Sequence, residues 1–471
     1  MTKEKFPFYE GSAVFADPIH TYITFTLPNS STEASEKDLI DTPWMQRLRK
    51  IYQLQSLRWV FPSAEHSRFQ HSLGAMHLGG RMAKQLYPSL KKYSRNCPSF
   101  NFIEELLRIT GLLHDIGHGP FGHFFDENYL DKFHITHEDL GKKIIFEKLS
   151  DIILKIKRSP SGKFMKGEVI QPEYLAFLIK KEKVKKTKNY PKWLTLLLPL
   201  FNGIYTVDNM DYVLRDSYMC GVKIGPVDIE RLIYYTFYSS KGLTIHKSGT
   251  SALTMFLNAR LYLYSNVYYH RTTRAIDHHL REIFRDTITI MFDGENPANN
   301  LNRYLNLTDW SLTETVTSWK DSMDFKKKML AKEWSLILLR KPKWKLAFDY
   351  TRTADVMKAG VPVISEKEWA ERIRENLPEK LKDLSFSVDV QEQDPRPENP
   401  LSMGNQQIFV FDPNSESISK EVLLKLFEFI PSKLFHYRVF ALDHKNDRIL
   451  GKIAMESLGY SKKIQKTETN I

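Results

Sequence analysis

Residues 112–123 read Leu112-Leu113-His114-Asp115-Ile116-Gly117-His118-Gly119-Pro120-Phe121-Gly122-His123. An apolar run leads into the His114-Asp115 pair, and the Gly-Pro-Phe-Gly segment that follows is typical of a helix break. The pattern therefore predicts a helix that carries the pair into the protein interior. A buried carboxylate beside a buried histidine is costly without a partner, and a bound cation would supply that partner.

Two distant residues extend this pair into a possible metal site. They are embedded in the segments Arg68-Phe69-Gln70-His71-Ser72-Leu73-Gly74 and Val207-Asp208-Asn209-Met210-Asp211-Tyr212. A lone histidine is usually a core or surface residue, and a lone aspartate is usually a helix cap or an ion-pair partner. Together, His71, His114, Asp115 and Asp208 predict a divalent metal ion (Mg, Mn or Fe). The ion would keep positions open for water and a phosphate oxygen.

Bulk composition limits the class of protein. The chain has 471 residues, 42% of them hydrophobic, which favours a globular protein with more than one domain. We expect no membrane span, no signal peptide and, with only two cysteines, a reducing cytoplasmic location. Lys and Arg number 68 against 56 Asp and Glu, a net charge of +12. That excess favours an anionic partner such as a nucleotide or nucleic acid, although a solvated surface explains it equally well.

The hydrophobic pattern divides the chain into three parts. Residues 1–37 are predicted to form a hairpin and loops, residues 38–333 a helical domain, and residues 334–471 a smaller α/β lobe, giving a mainly α fold. A Lys-rich segment at about 155–190 is predicted to be an exposed insertion that could contact nucleic acid. In the C-terminal lobe, strands are expected at 334–339, 384–390, 407–411 and 437–441, and a helix at 423–427.

Further histidines near the predicted metal site could transfer protons. His118, His123 and His137 can each donate or accept a proton near neutral pH, with Asp126 or Glu138 as a carboxylate partner. The alternative is that some of them only form hydrogen bonds within the core. Spacing does not distinguish these roles.

At these residues the chain resembles a known family, the HD-domain deoxynucleoside triphosphate triphosphohydrolases. It looks most like the branch that contains the vertebrate enzyme with a SAM domain ahead of its HD domain, together with bacterial dNTPases. The resemblance extends over nearly the whole chain. It depends on the segments Asp17–His20, Leu39–Arg49, Arg68–Gly74, His114–His123, Thr136–Glu138 and Asp208–Asp216. It implies that the helical core is an HD domain.

The resemblance also implies a reaction: a dNTP and water give a deoxynucleoside and inorganic triphosphate. His71, His114, Asp115 and Asp208 match the metal ligands. The other matching residues are Arg68 and His118 for the phosphates, His123, Asp126 and His137 for proton transfer, Arg49, Gln53 and Leu54 for the sugar and base, Tyr212 for the deoxyribose ring, and Asp216 for the 3′-hydroxyl.

An activating site is implied as well. Asp41, Gln46 and Arg49 match residues that bind a guanine nucleotide between subunits, so the resemblance implies activation by GTP or a dNTP in a homo-oligomer, a dimer or tetramer. The alternative reading is structural. Asp41 is a good helix N-cap, as is Thr42, and the other two could be ordinary residues on a helix surface.

The chain departs from the family pattern in two places. Asn209 stands where relatives place a lysine beside the metal-binding aspartate. The stretch 264–271 lacks the arginine that the family pattern places near the γ-phosphate. Arg271 or Arg274 could substitute, since a guanidinium binds phosphate in more than one geometry. These departures leave open two alternatives to a dNTPase. One is an HD phosphohydrolase that acts on another nucleotide or on single-stranded nucleic acid. The other is a non-enzymatic nucleic-acid-binding protein that uses the Lys180–Lys188 region.

Overall fold

The computed structural model describes residues 11–28, 30–180, 190–354, 364–395, 401–404, 407–428 and 430–459. The prediction of a mainly α protein is confirmed, because helices dominate the described residues and the sheets are small. None of the helices in these ranges is both long and apolar enough to cross a membrane.

An antiparallel hairpin begins the described part of the chain, as predicted. Strand β1 (Ser12–Asp17) pairs with β2 (Thr21–Thr26), and Ile23 and Phe25 of β2 are buried. Two short helices follow, α1 (Glu36–Ile40) and α2 (Pro43–Arg47). The N-cap of α2 is Thr42, whose hydroxyl accepts from the Met45 amide. Asp41, the other N-cap candidate, instead lies at the C-terminal end of α1.

Helices α3 (Arg68–Tyr93) and α4 (Phe100–Leu113) form the centre of the molecule. Glycines let their backbones come close together: a Cβ atom at Gly79 would lie 2.5 Å from the Leu107 carbonyl oxygen, and one at Gly111 would lie 2.5 Å from that of Ala75. A side chain at either position would push the helices apart. This close packing brings the start of α3, with His71, next to the end of α4, where His114 and Asp115 follow.

The remaining helices of this part surround that pair. They are α5 (His123–Asn128), α6 (His137–Ile144), α7 (Ser150–Lys155), α8 (Pro172–Ile179), α9 (Lys192–Leu197), α10 (Pro199–Asn202), α11 (Val207–Cys220), α12 (Ile229–Tyr234), α13 (Thr250–Leu263), α14 (Arg271–Met291), α15 (Leu301–Leu305), α16 (Asp309–Ser318) and α17 (Phe325–Leu338). Short strands lie between them, β3 (Arg158–Ser159), β4 (Gly162–Lys163), β5 (Thr236–Ser239) and β6 (Gly242–His246). A π-helical turn over Tyr264–Tyr268 joins α13 to the segment before α14.

Part of the Lys-rich segment was predicted wrongly. Within it, α8 is not an exposed insertion, because Leu175, Phe177 and Leu178 are buried in the main core. The apolar content of this helix outweighs the lysines on either side of it. The dense lysine run itself, from Lys181 to Lys186, lies outside the described residues.

The strand expected at 334–339 is also wrong. Residues 334–338 form the C-terminal end of α17 and Leu339 is its C-cap, and Leu330, Trp334 and Ile337 are buried at helical spacing. The Trp334 indole donates to the Thr287 hydroxyl of α14 at 2.9 Å. A short apolar run fits a strand or a buried helix equally well, and packing against α14 decides between them here.

The C-terminal part contains a second, smaller core. Its elements are β7 (Lys345–Ala354), α18 (Glu366–Asn376), β8 (Phe386–Gln393), β9 (Phe409–Asp412), β10 (Ser417–Ser419), α19 (Val422–Leu426), β11 (Lys433–Ala441) and α20 (Asp447–Ser457). The other predicted strands and the helix at 423–427 correspond to β8, β9, β11 and α19. Strand β11 lies between β7 and β8 in an antiparallel sheet, and α18 and α20 share its apolar core.

The described residues of 401–404 and 407–428 pack against the main core of the helical part and not against the small sheet. Strand β9 pairs in parallel with β6 of the helical region, and Ile408, Val410 and Phe427 join the main core. The chain therefore returns to the helical part before β11 completes the small sheet. A domain boundary near residue 334 stays a prediction.

Candidate active site

Three helices bring the four predicted metal ligands together. His71 is in the first turn of α3, His114 and Asp115 directly follow α4, and Asp208 is in the first turn of α11. The Nε2 atom of His71 lies 3.2 Å from Nε2 of His114, 3.1 Å from Oδ1 of Asp208 and 3.9 Å from Oδ2 of Asp115. Nε2 of His114 lies 3.4 Å from Asp115 Oδ1 and 3.9 Å from Asp208 Oδ1.

The other nitrogen of each imidazole is engaged by the protein. His71 Nδ1 donates to Oδ2 of Asp211 at 2.8 Å, and His114 Nδ1 donates to the Gly111 carbonyl at 2.7 Å. The two Nε2 atoms are therefore turned away from these partners and lie 3.2 Å from each other. Hydrogen bonds of this kind orient the histidine ligands of a metal ion.

The charges of the site fit a divalent cation. Burial lowers the pKa of His71, but hydrogen bonds to Asp208 and Asp211 outweigh this effect and raise it to about 10. Burial also opposes ionisation of Asp115 and Asp208, yet neighbouring histidines and, for Asp115, Arg68 hold both pKa values below their ordinary range. His71, His114 and Asp115 each offer a ligand atom within 4.8 Å of the others, a group that could hold a metal ion, and Asp208 Oδ1 lies 3.1 Å from His71 Nε2. These spacings suit ligands of one ion bound at about 2.1 Å.

Two predicted phosphate-binding residues lie beside this centre. Arg68 donates to Asp115 Oδ2 at 2.6 Å. His118 is fully buried, and its Nε2 lies 3.3 Å from Asp115 Oδ1 without the geometry of a hydrogen bond. Neither ring nitrogen of His118 has a hydrogen-bond partner among the described residues. Burial and the nearby Arg68 hold the pKa of His118 well below its ordinary value, so its ring is neutral at pH 7.

The predicted proton-transfer residues form a second cluster that shares His118. The His137 ring stacks on His118 with centroids 3.7 Å apart, and His123 packs edge-on at 4.8 Å. His137 Nδ1 donates to Asp126 Oδ2. Burial would raise the pKa of Asp126, but His123 and His137 hold it well below its ordinary value. The side chain of His123 is 62% exposed.

A third group lies around Asp216 on α11. Its carboxylate accepts from His66 Nε2 at 2.9 Å and from the Tyr268 hydroxyl at 2.6 Å. The Tyr212 and Tyr268 rings are 6.3 Å apart. Sequence reasoning missed both partners of Asp216. His66 could have been noticed, because it lies two residues before Arg68, but no local pattern indicates Tyr268.

A backbone hydrogen bond between Gln53 and His66 places Gln53 and Leu54 near this group. The amide of Gln53 donates to the His66 carbonyl at 3.0 Å, and the side-chain oxygen of Gln53 is buried with no hydrogen-bond partner among the described residues. Leu54 is buried in the core. An unsatisfied buried amide oxygen is costly and suits a residue that binds a ligand.

The two arginines considered as substitutes occupy different positions. Arg274 donates to both oxygens of Asp389, at 3.1 and 2.8 Å, and to Asp277, so it joins α14 to β8. Arg271 is exposed at the start of α14. Arg274 is thus neutralised by carboxylates and is poorly placed to supply the missing charge.

Arg260 on α13 is a different case that sequence reasoning did not single out. Its Nη1 donates to the Ile204 carbonyl at 3.2 Å, and its Nε has no hydrogen-bond partner among the described residues. Burial disfavours its charge, but the phenols of Tyr212 and Tyr264 hold its pKa above the ordinary value. Among the described residues, no carboxylate forms an ion pair with Arg260. Its guanidinium can therefore bind an anion.

Of the three predicted activator-site residues, Asp41 and Arg49 are exposed and Gln46 is half-buried. Arg49 Nε donates to Gln46 Oε1 at 2.8 Å, and the Arg49 guanidinium stacks 3.7 Å from the Phe69 ring centroid. Gln46 also donates to the Ile40 carbonyl. Asp41 pairs with Lys37. Arg49 therefore lies against the helix that carries His71, and the three side chains are held by local contacts.

Two family models match the chain in this region. Residues 68–187 match the HD domain, and residues 227–338 match the HD associated region. Between them they cover the ligands His71, His114 and Asp115, the histidine cluster, and helices α13, α14, α16 and α17.

Curated relatives include enzymes with a stated activity. The deoxynucleoside triphosphate triphosphohydrolase SAMHD1 homolog of Dictyostelium discoideum is 29% identical over 309 residues, 62% of this chain and 54% of that protein. SAMHD1 of Bos taurus, which carries the same activity in its name, is 30% identical over 58% of this chain and 47% of its own length. The uncharacterized protein YwfO of Bacillus subtilis is 32% identical over 56% of this chain and 53% of its length. The chain spans about half the length of the curated relatives it matches.

Solved structures share the fold over most of the chain. A hypothetical protein from Aquifex aeolicus has a TM-score of 0.66 and 26% identity, covering 95% of this chain and 100% of its own. A phosphohydrolase from Bacteroides thetaiotaomicron has a TM-score of 0.63 and 20% identity, covering 91% and 99%, which is a likeness of fold. The chain therefore contains an HD domain followed by an HD associated region, and the proteins that it resembles include deoxynucleoside triphosphate triphosphohydrolases.

Proposed function

We propose that this protein is a metal-dependent deoxynucleoside triphosphate triphosphohydrolase. One observation carries the proposal: the metal-ligand set and the histidine cluster meet at His118, whose Nε2 lies 3.3 Å from Asp115 and whose ring stacks on His137. A phosphate on the metal would then lie beside groups able to donate a proton. The dNTPases among the relatives support the choice of substrate.

The residues divide the work of the reaction. A divalent cation held by His71, His114, Asp115 and Asp208 would supply a Lewis acid for a phosphoryl oxygen. Arg68 is positioned to bind phosphate charge, and neutral His118 can donate a hydrogen bond to a phosphate oxygen.

The bond changes follow from the position of the second cluster. Water attacks the α-phosphorus while the bond from that phosphorus to the 5′-oxygen breaks, which releases inorganic triphosphate. The proton that the water loses passes to solvent, from which His123 regains the proton that it gives up. His123 donates a proton to the leaving 5′-oxygen, and the His137–Asp126 pair holds His123 and His118 in place. The deoxynucleoside leaves with that proton.

Asp216 and Tyr212 support selection of a deoxyribose. The carboxylate of Asp216 accepts only from His66 and Tyr268 in the described residues, so further lone pairs can accept the 3′-hydroxyl. The Tyr212 ring, next to Tyr268, would pack on the sugar and crowd a 2′-hydroxyl. Arg260 would supply the phosphate charge that relatives obtain from the lysine missing at Asn209.

The test uses the purified full chain, each of the four dNTPs, and Mg²⁺ or Mn²⁺, with and without GTP. Chromatography should show inorganic triphosphate and a deoxynucleoside in equal amounts. Asp208→Ala is the matched inactive control. If none of the four dNTPs yields triphosphate, with or without GTP, the proposal fails.

A second candidate function keeps the same centre but uses another phosphoester. Asn209 favours it, because its amide carries no charge and lies beside Asp208 at 3.5 Å. The same chromatography would then show a monophosphate rather than triphosphate. Activation by GTP or a dNTP through Asp41, Gln46 and Arg49, and a dimer or tetramer, remain parts of the leading proposal. Light scattering with and without GTP tests both of these parts.

A further inference from the structure

The carboxylate of Asp309 joins two separate backbone segments. Asp309 is the first residue of α16 and is almost fully buried. Its Oδ1 accepts from the Phe121 amide at 2.6 Å, and its Oδ2 accepts from the Tyr52 amide at 2.7 Å. Both oxygens of one buried side chain are thus used to hold main chain from two other parts of the fold.

Each of these two segments adjoins residues of the proposed active site. Tyr52 directly precedes Gln53 and Leu54, the residues matched to the sugar and base. Phe121 lies between His118 and His123, in the loop that links the metal ligands to the proton donor. A single carboxylate of the HD associated region therefore fixes the distance between the nucleoside side and the phosphate side.

Neighbouring contacts hold the same loop. The Tyr304 hydroxyl donates to the Gly117 carbonyl at 2.8 Å. The buried Arg47 guanidinium donates to the His118 carbonyl at 2.6 Å and to the Leu307 carbonyl at 2.8 Å. The segment 304–309 thus reaches the loop through a hydroxyl and a carboxylate, and Arg47 bridges the two.

The loop needs such support because its backbone is strained. Phe121 has φ +60° and Gly122 has φ +51°, and a bulky residue rarely adopts the left-handed region. The glycine lets the loop backbone lie close to Arg68, the residue proposed to bind phosphate. A Cβ atom on Gly122 would lie 2.4 Å from Nη2 of Arg68. Asp309 accepts from the amide at the strained position itself.

We propose that Asp309 is a positioning residue that locks the Tyr52 and Phe121 segments together, so that Arg68, His118 and His123 hold the geometry needed for hydrolysis. The inference rests on the proposed function for its kinetic part only. Asp309 touches neither substrate nor metal in this arrangement and acts through the two backbone amides.

The test compares Asp309→Asn with Asp324→Asn in the full chain loaded with Mn²⁺. Asp324 is a matched control, because its Oδ1 also accepts from two backbone amides, of Lys326 and Lys327 at 2.8 and 3.2 Å, at the start of α17. Hydrogen exchange is followed by mass spectrometry in peptides that span 50–54 and 117–123. Bound Mn²⁺, kcat and KM for the best dNTP are measured on the same samples.

In Asp309→Asn, the backbone amides of both peptides should exchange hydrogen at least tenfold faster than in the parent. The variant should bind as many Mn²⁺ ions per chain as the parent does. Its kcat should fall by about ten- to a hundredfold with KM within threefold, because displacements near 1 Å have effects of this size. Asp324→Asn should match the parent in every measurement. Unchanged exchange, or a kcat within twofold of the parent, overturns the inference. A parent inactive on every dNTP contradicts the proposed function alone, and the exchange result then decides whether Asp309 holds the two segments.

Discussion

Asp211 orients His71: the Nδ1–H of His71 donates to Asp211 Oδ2 at 2.8 Å, which leaves Nε2 directed at His114 and Asp208. Asp211 is itself fixed by His20 Nε2 at 2.7 Å and by two bonds from Arg215 at 2.8 Å. The N-terminal hairpin, which carries His20, therefore takes part in holding the proposed metal ligand His71. A carboxylate behind a ligand histidine fixes its tautomer and raises its basicity.

Asp211→Asn should weaken Mn²⁺ binding by about ten- to a hundredfold, because His71 loses the carboxylate that orients it. Calorimetric titration of the apo protein measures the affinity. Asp17→Asn is the control, since Asp17 also pairs with Arg215 but does not touch His71. Equal affinity in Asp211→Asn and the parent would show that the orientation of His71 does not depend on this bond.

Removal of the metal should reduce dNTP hydrolysis by about a thousandfold, since several kcal/mol of charge stabilisation are lost. Added Mn²⁺ should restore the parent but not His114→Ala or Asp208→Ala. His444→Ala, which changes an exposed histidine far along the chain, should behave like the parent. Full activity after exhaustive chelation would contradict the metal-dependent mechanism.

Tyr268→Phe should lower kcat/KM for a dNTP by about five- to tenfold, the effect of losing one hydrogen bond of about 1 kcal/mol to Asp216. The effect should disappear with a 2′,3′-dideoxynucleoside triphosphate, which lacks the 3′-hydroxyl that Asp216 would accept. Tyr238→Phe, which removes another buried hydroxyl donating to the Leu196 carbonyl, is the control. Equal losses on both nucleotides would place the 3′-hydroxyl elsewhere.

Arg260→Gln should raise KM for a dNTP by about tenfold or more, because a charge-assisted bond to phosphate contributes about 1.5–3 kcal/mol. Arg274→Gln should lower stability instead, since the buried Asp389 would lose the guanidinium that donates to both of its oxygens. Steady-state kinetics and thermal unfolding separate the two outcomes. A KM unchanged in Arg260→Gln would remove Arg260 from the phosphate site.

Asp309 should also affect how stability depends on pH. Burial raises its pKa to about 6, although the Tyr52 and Phe121 amides favour the charged form. The folded state therefore binds a proton more tightly than the unfolded state does. The stabilisation of the folded state that comes from this tighter proton binding at Asp309 is fully present below pH 3.8. It is lost as pH rises through about 6.

Between pH 4 and pH 7, the free energy of unfolding of the parent should fall relative to that of Asp309→Asn, by at most about 3 kcal/mol. Urea unfolding at several pH values measures this difference between the two proteins. Asp324→Asn serves again as the control. Parallel curves for the parent and Asp309→Asn would show that Asp309 has an ordinary pKa.

Several features of the site were predictable because they depend on local pattern. The apolar run before His114 and the Gly-Pro-Phe-Gly break after it predicted a buried pair at a helix end, and α4 does end at Leu113. The segments 14–20 and 22–25 predicted the hairpin, and β1 and β2 pair there. The run at 334–339 failed because a short apolar segment has no period of its own, and contact with α14 made it helical.

Other contacts had no local signal. Residues 268 and 216 lie 52 positions apart, and residues 309 and 52 lie 257 positions apart, yet each pair is joined by a hydrogen bond. Arg260 and Arg274 are both arginines in helices. Arg274 pairs with Asp389, whereas Arg260 pairs with no carboxylate among the described residues, and only the folded structure shows this difference.

The sequence by itself determined which side chains could bind a metal and transfer protons, because that chemistry belongs to histidine and aspartate wherever they lie. Only the tertiary structure decided that His71, His114 and Asp115 lie close together with Asp208 beside His71, that His118 joins two clusters, and that the carboxylate of Asp309 accepts from Phe121 in the loop. Distance, burial and the direction of a side chain depend on packing between helices far apart in the chain, and a linear pattern does not contain them.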